Sequence, residues 1–558
     1  MAAKKHKLKI ITLGGQEEIG KNMTVIEYGN DLIIVDCGVA FPQDDMLGID
    51  LVIPDFTYIH NNRQKIRGVV LTHGHEDHIG ATPYFLREFN TPIYGTKLTL
   101  GLLGNKLKEH GLANQVTVNC VSPGETVKIG CFVVEFIHTT HSIADSVALA
   151  VNTPMGLVIH SGDLKVDYTP IQGESIDLQR FAELGKNGVL AFLCESTNVL
   201  EKGYTMSERM VGGIFEEIFV KSPYQRIMIA SFASNIHRIQ QIINAAIKYK
   251  RKVLILGRSM INAIKTASEL GYMDIPPGLT IEISELKNYT DQQLAIITTG
   301  SQGETMSALT RIASSDHRQI GIKPGDRVVI SASPIPGNEK MINKVINDLI
   351  KQGADVIYEG LMDVHVSGHA KEEEIKLLHA LIKPRYLVPI HGEYRHLKQH
   401  RELAVSMGMN KENVFVLGIG DVLELTDKTA RKAGQVPSGQ LLVDGLEVGE
   451  VGSVVLRDRK HLSQDGIIIA VVGVNTDDGT CKMISGPEII SRGFVLMREA
   501  ENLIKSIKAI VESTMFECEI KQTTDYQYIR NRIREDLKEH VWQKTKRNPM
   551  ILPVLMEV

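Results

Sequence analysis

Residues 69–80 read VVLTHGHEDHIG, which places three histidines and two carboxylates in the six positions from His73 to His78, directly behind a short apolar run. Imidazole and carboxylate are the groups that zinc and similar divalent ions take as ligands, at ~2.0–2.2 Å. His73 and His75 stand two apart, so on an extended loop both rings lie on one side. Asp77 and His78 are adjacent, and a helix starting there turns both towards a second point nearby. A solvated turn that happens to be rich in histidine is the competing reading. Four ligand-type residues at this spacing behind a buried strand argue for metal binding instead.

The elements that must position this cluster are short strands. From Leu8 to about Val166 they alternate with turns (LKIITLG, MTVIEY, DLIIVDCG, GVVLTHG, CFVVEFIHT, SVALAVN, GLVIHSGD), with few long helices, which reads as stacked sheets. After about Thr205, strands such as RIMIASF, KVLILG, LAIITTG and RVVISAS alternate with helical stretches such as HRIQQIINAAIKY and NEKMINKVINDLIKQG. That rhythm belongs to βαβ units on a parallel sheet. Residues 383–390 (KPRYLVPI) return to a strand that ends in His391. Residues 433–452 are rich in Gly and Val and are expected to be a linker. The tail then carries strands, amphipathic helices over about 498–515 and 525–544, and a last strand, ILPVLMEV.

A chain of 558 residues has room for several cores. Its 43% hydrophobic and 23% charged content is that of a globular protein. The longest apolar runs, such as GIIIAVVGV at 466–474, fall far short of the ~20 residues of a membrane span. The start, MAAKKHKLKIITLGG, has no long apolar stretch of a signal peptide. Cys37, Cys120, Cys131, Cys194, Cys481 and Cys518 are scattered with no CxxC pair, which suits a reducing cytoplasm and argues against a thiolate zinc finger. A net charge of −4 neither suggests nor excludes a polyanionic partner, so any positive field for nucleic acid must be local.

Outside the histidine cluster, Ser234 and Asn235 stand at a strand-to-helix junction, where free N–H groups and the helix dipole favour an anion. Val366, Ser367 and Gly368, flanked by His365 and His369, offer further donors. Thr299-Gly-Ser-Gln-Gly-Glu304 and Ser333-Pro-Ile-Pro-Gly337 are weaker signals, read as turns that shape a channel.

HxHxDH behind a strand resembles the signature of the metallo-β-lactamase superfamily. The resemblance implies that His141, in THSIADS, completes a first metal site and that Asp163, in IHSGDLK, bridges two metals. Singly these would be a loop histidine and a turn residue; their order and spacing give them weight. His138 and His160, beside them, are read as packing or supporting residues. Glu195 in LCESTN, Ser234-Asn235 in SFASNIHR, HVSGH at 365–369 and His391 in PIHGEYR resemble the β-CASP branch, which processes nucleic acids. Within it the chain resembles ribonuclease J along nearly its whole length, from LGGQEEIGKN through MSERMVGG, TGSQGE and SPIPGNE to KTKRNPMILPVLMEV. Histidine at position 391, where DNA-repair relatives carry valine, favours RNA.

The resemblance implies an α/β chain: a metallo-β-lactamase αββα sandwich (1–205 and 370–432), an inserted β-CASP domain (206–369), a linker (433–452) and a small α+β C-terminal domain (453–558). It implies two divalent ions, zinc or, with the same ligands, manganese. His73, His75 and His141 would hold one, Asp77, His78 and His391 the other, with Asp163 between. Such a pair activates a water and stabilises both oxygens of an in-line displacement at phosphorus. His369 is assigned to proton donation and Glu195 to holding a histidine or a water in orientation. Ser234, Asn235, Ile236, His365, Val366, Ser367, Gly368 and His369 are assigned to substrate, including a pocket for a 5′-monophosphate. Gly48, Asp50 and Asp444 are matched to a structural calcium. The expected activity is endonuclease and 5′-to-3′ exonuclease action on single-stranded RNA, in RNA maturation and decay. The expected partners are a second copy, as homodimer or homotetramer, and a paralogous subunit or RNA-degradation complex. The alternatives are DNA processing and a weakly active paralogous subunit; an intact ligand motif speaks against the latter.

Overall fold

The first strand, Leu8–Gly14, has six of its seven residues buried, and its neighbours come from both ends of the sequence: Met23–Tyr28 on one side and Asp421–Leu425 on the other. The computed structural model describes residues 6–43, 45–302, 307–334, 338–445, 447–476, 479–495 and 501–558. They form two units, one taking in the chain to Phe41 with Leu51–Leu441, the other Pro42–Asp50 with Leu442–Val558.

In the first unit an eight-stranded sheet containing Leu8–Gly14, Asp31–Val35 and Ile66–Val70 faces a six-stranded sheet containing Phe132–His138, Val147–Thr153, Gly156–His160, Ala191–Glu195 and Tyr386–Ile390. Alternate residues meet between them: Ile10, Ile33, Val35 and Val70 from one sheet, Phe136, Leu149, Val158, Leu193 and Val388 from the other. The opposite face of the six-stranded sheet, with Phe192 and Cys194, packs on the helices Leu178–Asn187, Glu372–Ile382 and Tyr394–Ser406. This is the expected αββα sandwich. One helix departs from the expectation of few long ones: Lys97–Glu109, 13 residues. Its two glycines break the apolar stripe that would have announced it. Gly101 is there for close packing, since a Cβ would lie 2.5 Å from the Leu270 side chain.

The inserted module is a six-stranded, wholly parallel sheet ordered Thr280–Ile281, Lys252–Leu256, Leu294–Thr298, Ile227–Ala230, Arg327–Ile330, Asp355–Ile357. Arg209–Lys221, Ile236–Lys248 and Arg258–Glu269 cover one face, Ala308–Ala313 and Glu339–Lys351 the other. The loop after Ile227–Ala230, which carries Ser234 and Asn235, opens at the carboxyl end of the strands, where open α/β sheets receive ligands.

The second unit sets Ile467–Asn475 between Lys482–Arg492 (antiparallel) and Met550–Glu557 (parallel). Ile468, Ala470, Val472 and Val474 face Ile507, Val511 and Met515 of Glu501–Ile520 and Ile529, Ile533, Leu537 and Val541 of Tyr526–Thr545. The stretch read as a linker is partly strand: Ala430–Gln435 extends the eight-stranded sheet and Gln440–Asp444 is also extended. A helix, Ser453–Asp465, follows it.

Candidate metal centre

Ile66–Val70 runs through the eight-stranded sheet and delivers Thr72 and His73 to its carboxyl end. There His75 Nδ1 lies 3.1 Å from both His73 Nε2 and His141 Nε2. On the other side, His78 Nε2 is 3.1 Å and His391 Nε2 3.3 Å from Asp163 Oδ2, while Asp77 Oδ2 is 3.2 Å from His391 Nε2. The same Asp163 oxygen is 3.7 Å from His73 Nε2 and 4.0 Å from His141 Nε2, so it stands between the two groups. Ligands ~2.1 Å from a common tetrahedral ion lie ~3.4 Å apart, and these spacings fit that figure. The structure therefore gathers all seven predicted ligands into the two expected sets.

Outer partners fix which nitrogen of His73, His78, His141 and His391 faces inward. The Gly368 carbonyl, which can only accept, lies 2.6 Å from His141 Nδ1, so the proton is on Nδ1 and Nε2 presents its lone pair. The Asp36 carboxylate takes the Thr72 hydroxyl (2.8 Å) and His78 Nδ1–H (2.8 Å), and Thr72 Oγ1 in turn accepts from His73 Nδ1 (3.0 Å). Thr197 donates to the His391 carbonyl (3.3 Å) and accepts from His391 Nδ1 (3.1 Å). Asp36 and His391 both hold φ in the left-handed region, 61° and 53°, at strand ends. For non-glycine residues this costs on the order of 1 kcal/mol and is typical of such sites.

Electrostatics agree with a cation. Burial and neighbouring histidines hold His73 and His141 well below the ordinary imidazole value, and His75 falls to about 4. Burial opposes the charged form of His391 too, but Asp163 and Asp77 outweigh it and carry His391 up to about 10; His78 is raised in the same way. Burial pushes Asp163 and Asp77 up, and the facing histidines overcome it and hold both well below the carboxylate range. The four-ligand side thus demands positive charge, and divalent ions fit the donor set.

Glu195 is fully buried at the end of Ala191–Glu195. One oxygen accepts His369 Nδ1–H at 2.8 Å, and the other accepts the Leu164 N–H, next to Asp163, at 2.8 Å. The carboxylate more than offsets the burial of His369, whose pKa is raised. Ser367 Oγ is held by Asn198 Nδ2 at 2.8 Å.

Asn235 caps Ile236–Lys248, its Oδ1 accepting Arg238 N–H at 3.1 Å; its buried Nδ2 has no partner among the described residues, as an anion-facing donor would. Arg238, wholly buried, makes a two-pronged ion pair with Glu208 (2.7 and 2.8 Å) and donates to His365 Nδ1 (2.7 Å) and the Val366 carbonyl (3.1 Å). A guanidinium only donates, so neutral His365 keeps its N–H on Nε2. Two assignments change. The Ile236 and Val366 side chains lie in the apolar core of the inserted module, so neither is free to meet a substrate, and the Ile236 N–H is taken by the Ser234 carbonyl at 2.8 Å. His138 bonds the Glu174 carbonyl (3.0 Å), and His160 Nδ1 accepts Gly162 N–H (3.1 Å), both supporting roles. Of the two weaker turns, Gln302 donates to the Ser333 carbonyl at 2.8 Å, while residues 303, 304 and 335–337 lie outside the described residues.

Gly48, Asp50 and Asp444, matched to calcium, do come together in the second unit, but a cation is already built in. Arg459 pairs with Asp444 and donates to the Leu47 carbonyl at 3.0 Å, and a Cβ on Gly48 would lie 2.8 Å from its Nη1. Asp50 accepts Gly445 N–H at 2.8 Å. With Arg459 there, this set does not fit calcium.

The residues that sequence spacing missed are the outer partners Asp36, Thr72, Thr197, Asn198, Glu208 and Arg238. Only Thr197 and Asn198, in the ESTN run behind Glu195, and Thr72, beside His73, sat next to a residue already suspected.

Comparison with known proteins agrees with this geometry. Residues 18–179 match the metallo-beta-lactamase superfamily, 224–349 the ribonuclease J beta-CASP domain, 354–417 the Zn-dependent metallo-hydrolase RNA specificity domain, and 454–558 the ribonuclease J C-terminal domain. Ribonuclease J 1 of Streptococcus pyogenes is 44% identical over 100% of this chain and 99% of its own length. Ribonuclease J2 of Bacillus subtilis is 42% identical over 99% of both, and ribonuclease J of Synechocystis 43% identical over 98% of this chain and 86% of its own length. A solved Enterococcus faecalis protein of unknown function shares the fold at a TM-score of 0.55 and 17% identity, covering 75% of this chain and 100% of its own. A metallo-hydrolase sandwich, an inserted parallel-sheet module and a matching C-terminal unit, each paralleled in full-length relatives, place the chain in the ribonuclease J family.

Proposed function

We propose that this metal-dependent ribonuclease cuts single-stranded RNA internally and also removes mononucleotides from the 5′ end, with a preference for 5′-monophosphate. The observation that carries the reading is His369: its Nδ1–H is fixed on Glu195 at 2.8 Å and lies 4.0 Å from Asp163 Oδ2, at the seam between the ligand cluster and the Ser367–Gly368 donors. Two zinc ions in the ligand sets (manganese takes the same donors) would supply an activated water near neutral pH and charge for the phosphate oxygens. Everything else is the work of the chain. Asp163 holds the two sets together, and Glu195 keeps His369 charged with its Nε2–H free to protonate the departing 3′-oxygen. Products then carry 5′-phosphate and 3′-hydroxyl ends.

Asn235 Nδ2, Ser234, Ser367 and His365 Nε2–H stand on two segments that Arg238 ties together, and such donors suit a terminal phosphate with about two negative charges. A triphosphate is larger, and each exonucleolytic cut leaves a new monophosphate end. The family match over 354–417, described as an RNA specificity domain, supports RNA as substrate. We place the protein in the cytoplasm on its six free cysteines. Among the described residues, no helix is long and apolar enough to cross a membrane. Self-association as dimer or tetramer fits the open sheet face of the second unit, where Ile484, Leu552 and Met556 are exposed; a paralogous subunit could use the same face. The decisive experiment is a time course on end-labelled RNAs differing only in the 5′ group. Fast stepwise release from monophosphate and slow release from triphosphate is expected, and Ser234→Ala with Ser367→Ala should reduce that preference more than internal cleavage. Equal rates on both ends would end the proposal of a 5′ pocket.

A further inference from the structure

A second cluster of ligand-type groups lies on the other face of the six-stranded sheet. Side chains alternate along Ala191–Glu195, so Leu193 points into the sandwich while Phe192 and Cys194 point to the helices. There Cys194 meets His379, on Glu372–Ile382, and His400, on Tyr394–Ser406; one sulfur and two ring nitrogens lie within 4.8 Å of one another. Cys194 and His400 are fully buried and His379 is 7% exposed.

The rings are oriented as ligands are. His379 Nε2 and His400 Nε2 stand 2.9 Å apart. Ser196 Oγ lies 2.9 Å from His400 Nδ1 and 3.5 Å from the Cys194 carbonyl. A hydroxyl that gives its proton to the carbonyl accepts from His400 Nδ1–H and leaves the Nε2 lone pair pointing at Cys194 and His379. Thr72 and Thr197 do the same for His73 and His391, so the outer-partner device of the catalytic centre recurs here.

We propose that Cys194, His379 and His400 form a third cation site, taking a thiophilic ion, zinc or copper(I). Binding releases the Cys194 thiol proton to solvent and moves the His379 N–H from Nε2 to Nδ1, giving one thiolate and two neutral imidazoles. Ligands ~2.0–2.3 Å from the ion require the two Nε2 atoms to part by only a few tenths of an ångström. Carboxylate-free, sulfur-containing donors discriminate against calcium, magnesium and manganese. The ion would clamp the strand ending in Glu195 to the two helices that follow His369 and His391, and so act on the centre from behind without touching substrate.

The test uses the full-length protein from cells grown with cobalt. None of the seven predicted ligands of the catalytic centre is a cysteine, so a near-ultraviolet thiolate-to-cobalt absorption band comes from a cysteine site, and its loss in Cys194→Ser assigns it among the six free cysteines. The band is expected in the parent protein and absent from Cys194→Ser, which should also hold about one ion fewer per chain. Elemental analysis of protein grown without cobalt then separates zinc from copper as the extra ion. If Cys194→Ser fails to fold, His379→Gln reads the same loss. A parent protein with no band and no ion beyond those Cys194→Ser retains would overturn the site, as would a band that survives in Cys194→Ser.

Discussion

The carbonyl oxygen of Gly368 accepts the Nδ1–H of His141 at 2.6 Å, so the segment that carries His369, the proposed proton donor, also sets the ring of a predicted metal ligand. Substrate-side and metal-side chemistry share one backbone atom.

Gly368→Ala tests that sharing. The added Cβ would lie 2.6 Å from His141 Cε1 and 2.7 Å from Nδ1, so either the segment or the ring must shift. Loss of an outer partner typically costs 10–100-fold in metal affinity. A drop on the order of tenfold or more is expected by metal titration, with unchanged far-ultraviolet circular dichroism. Wild-type affinity would show that the ring is set by something else.

Glu195→Gln should move the alkaline limb of the pH–rate profile. Burial lowers the His369 pKa and Glu195 more than offsets it, leaving it raised. The acid form of His369, and the stability its pairing adds, are therefore present at low pH and lost as pH rises through the folded-state value. Without the carboxylate the largest raising influence on His369 is lost, and the limb shifts to lower pH. A limb in the same place, measured at saturating metal, would remove His369 from proton donation.

Arg238→Met removes the two-pronged partner of buried Glu208, leaving Lys165 as the nearby cation, beside the segment proposed to face the phosphate. Breaking such a pair costs about 3–5 kcal/mol, whereas replacing both partners by apolar groups is often neutral. The single variant should lose thermal stability and 5′-end preference together; Arg238→Met with Glu208→Leu should recover the first but not the second. Recovery of both would detach the arginine from the 5′ pocket.

Calcium should not raise the thermal midpoint of the parent protein, because Arg459 neutralises Asp444. In Arg459→Ala the carboxylates are free, and stabilisation by about 2.7 kcal/mol at 100 times the dissociation constant is then expected. Calcium-dependent stabilisation of the parent would reverse this reading of residues 48, 50 and 444.

How much the sequence disclosed follows from where the information sits. The seven predicted metal ligands, which the fold brings together, were legible because chemistry-bearing residues cluster at strand ends and their types are rare there. Asp36 was not, because VDCG is an ordinary strand end until the sheet lays it beside Ile66–Val70. Arg238 reads as the polar face of an amphipathic helix; only the fold buries it against Glu208. Ile236 and Val366 were assigned by segment, and the structure turns their side chains to the core. The helix Ser453–Asp465 escaped notice for a physical reason: it buries no residue, so it carries no apolar stripe.

Leu8–Gly14 pairs with Asp421–Leu425, and this has a consequence in time. At ~5–20 residues per second, roughly 20–80 s separate synthesis of the two strands on the ribosome. Through that interval the first strand has a bare edge and an uncovered apolar face, an invitation to stick to other chains. The parallel-sheet module made in between draws all its strands from residues 227–357 and can fold while the sandwich waits. Slow or paused translation before residue 421 should therefore make the nascent chain dependent on chaperones, and circular permutants that bring the two strands together in sequence should relieve it.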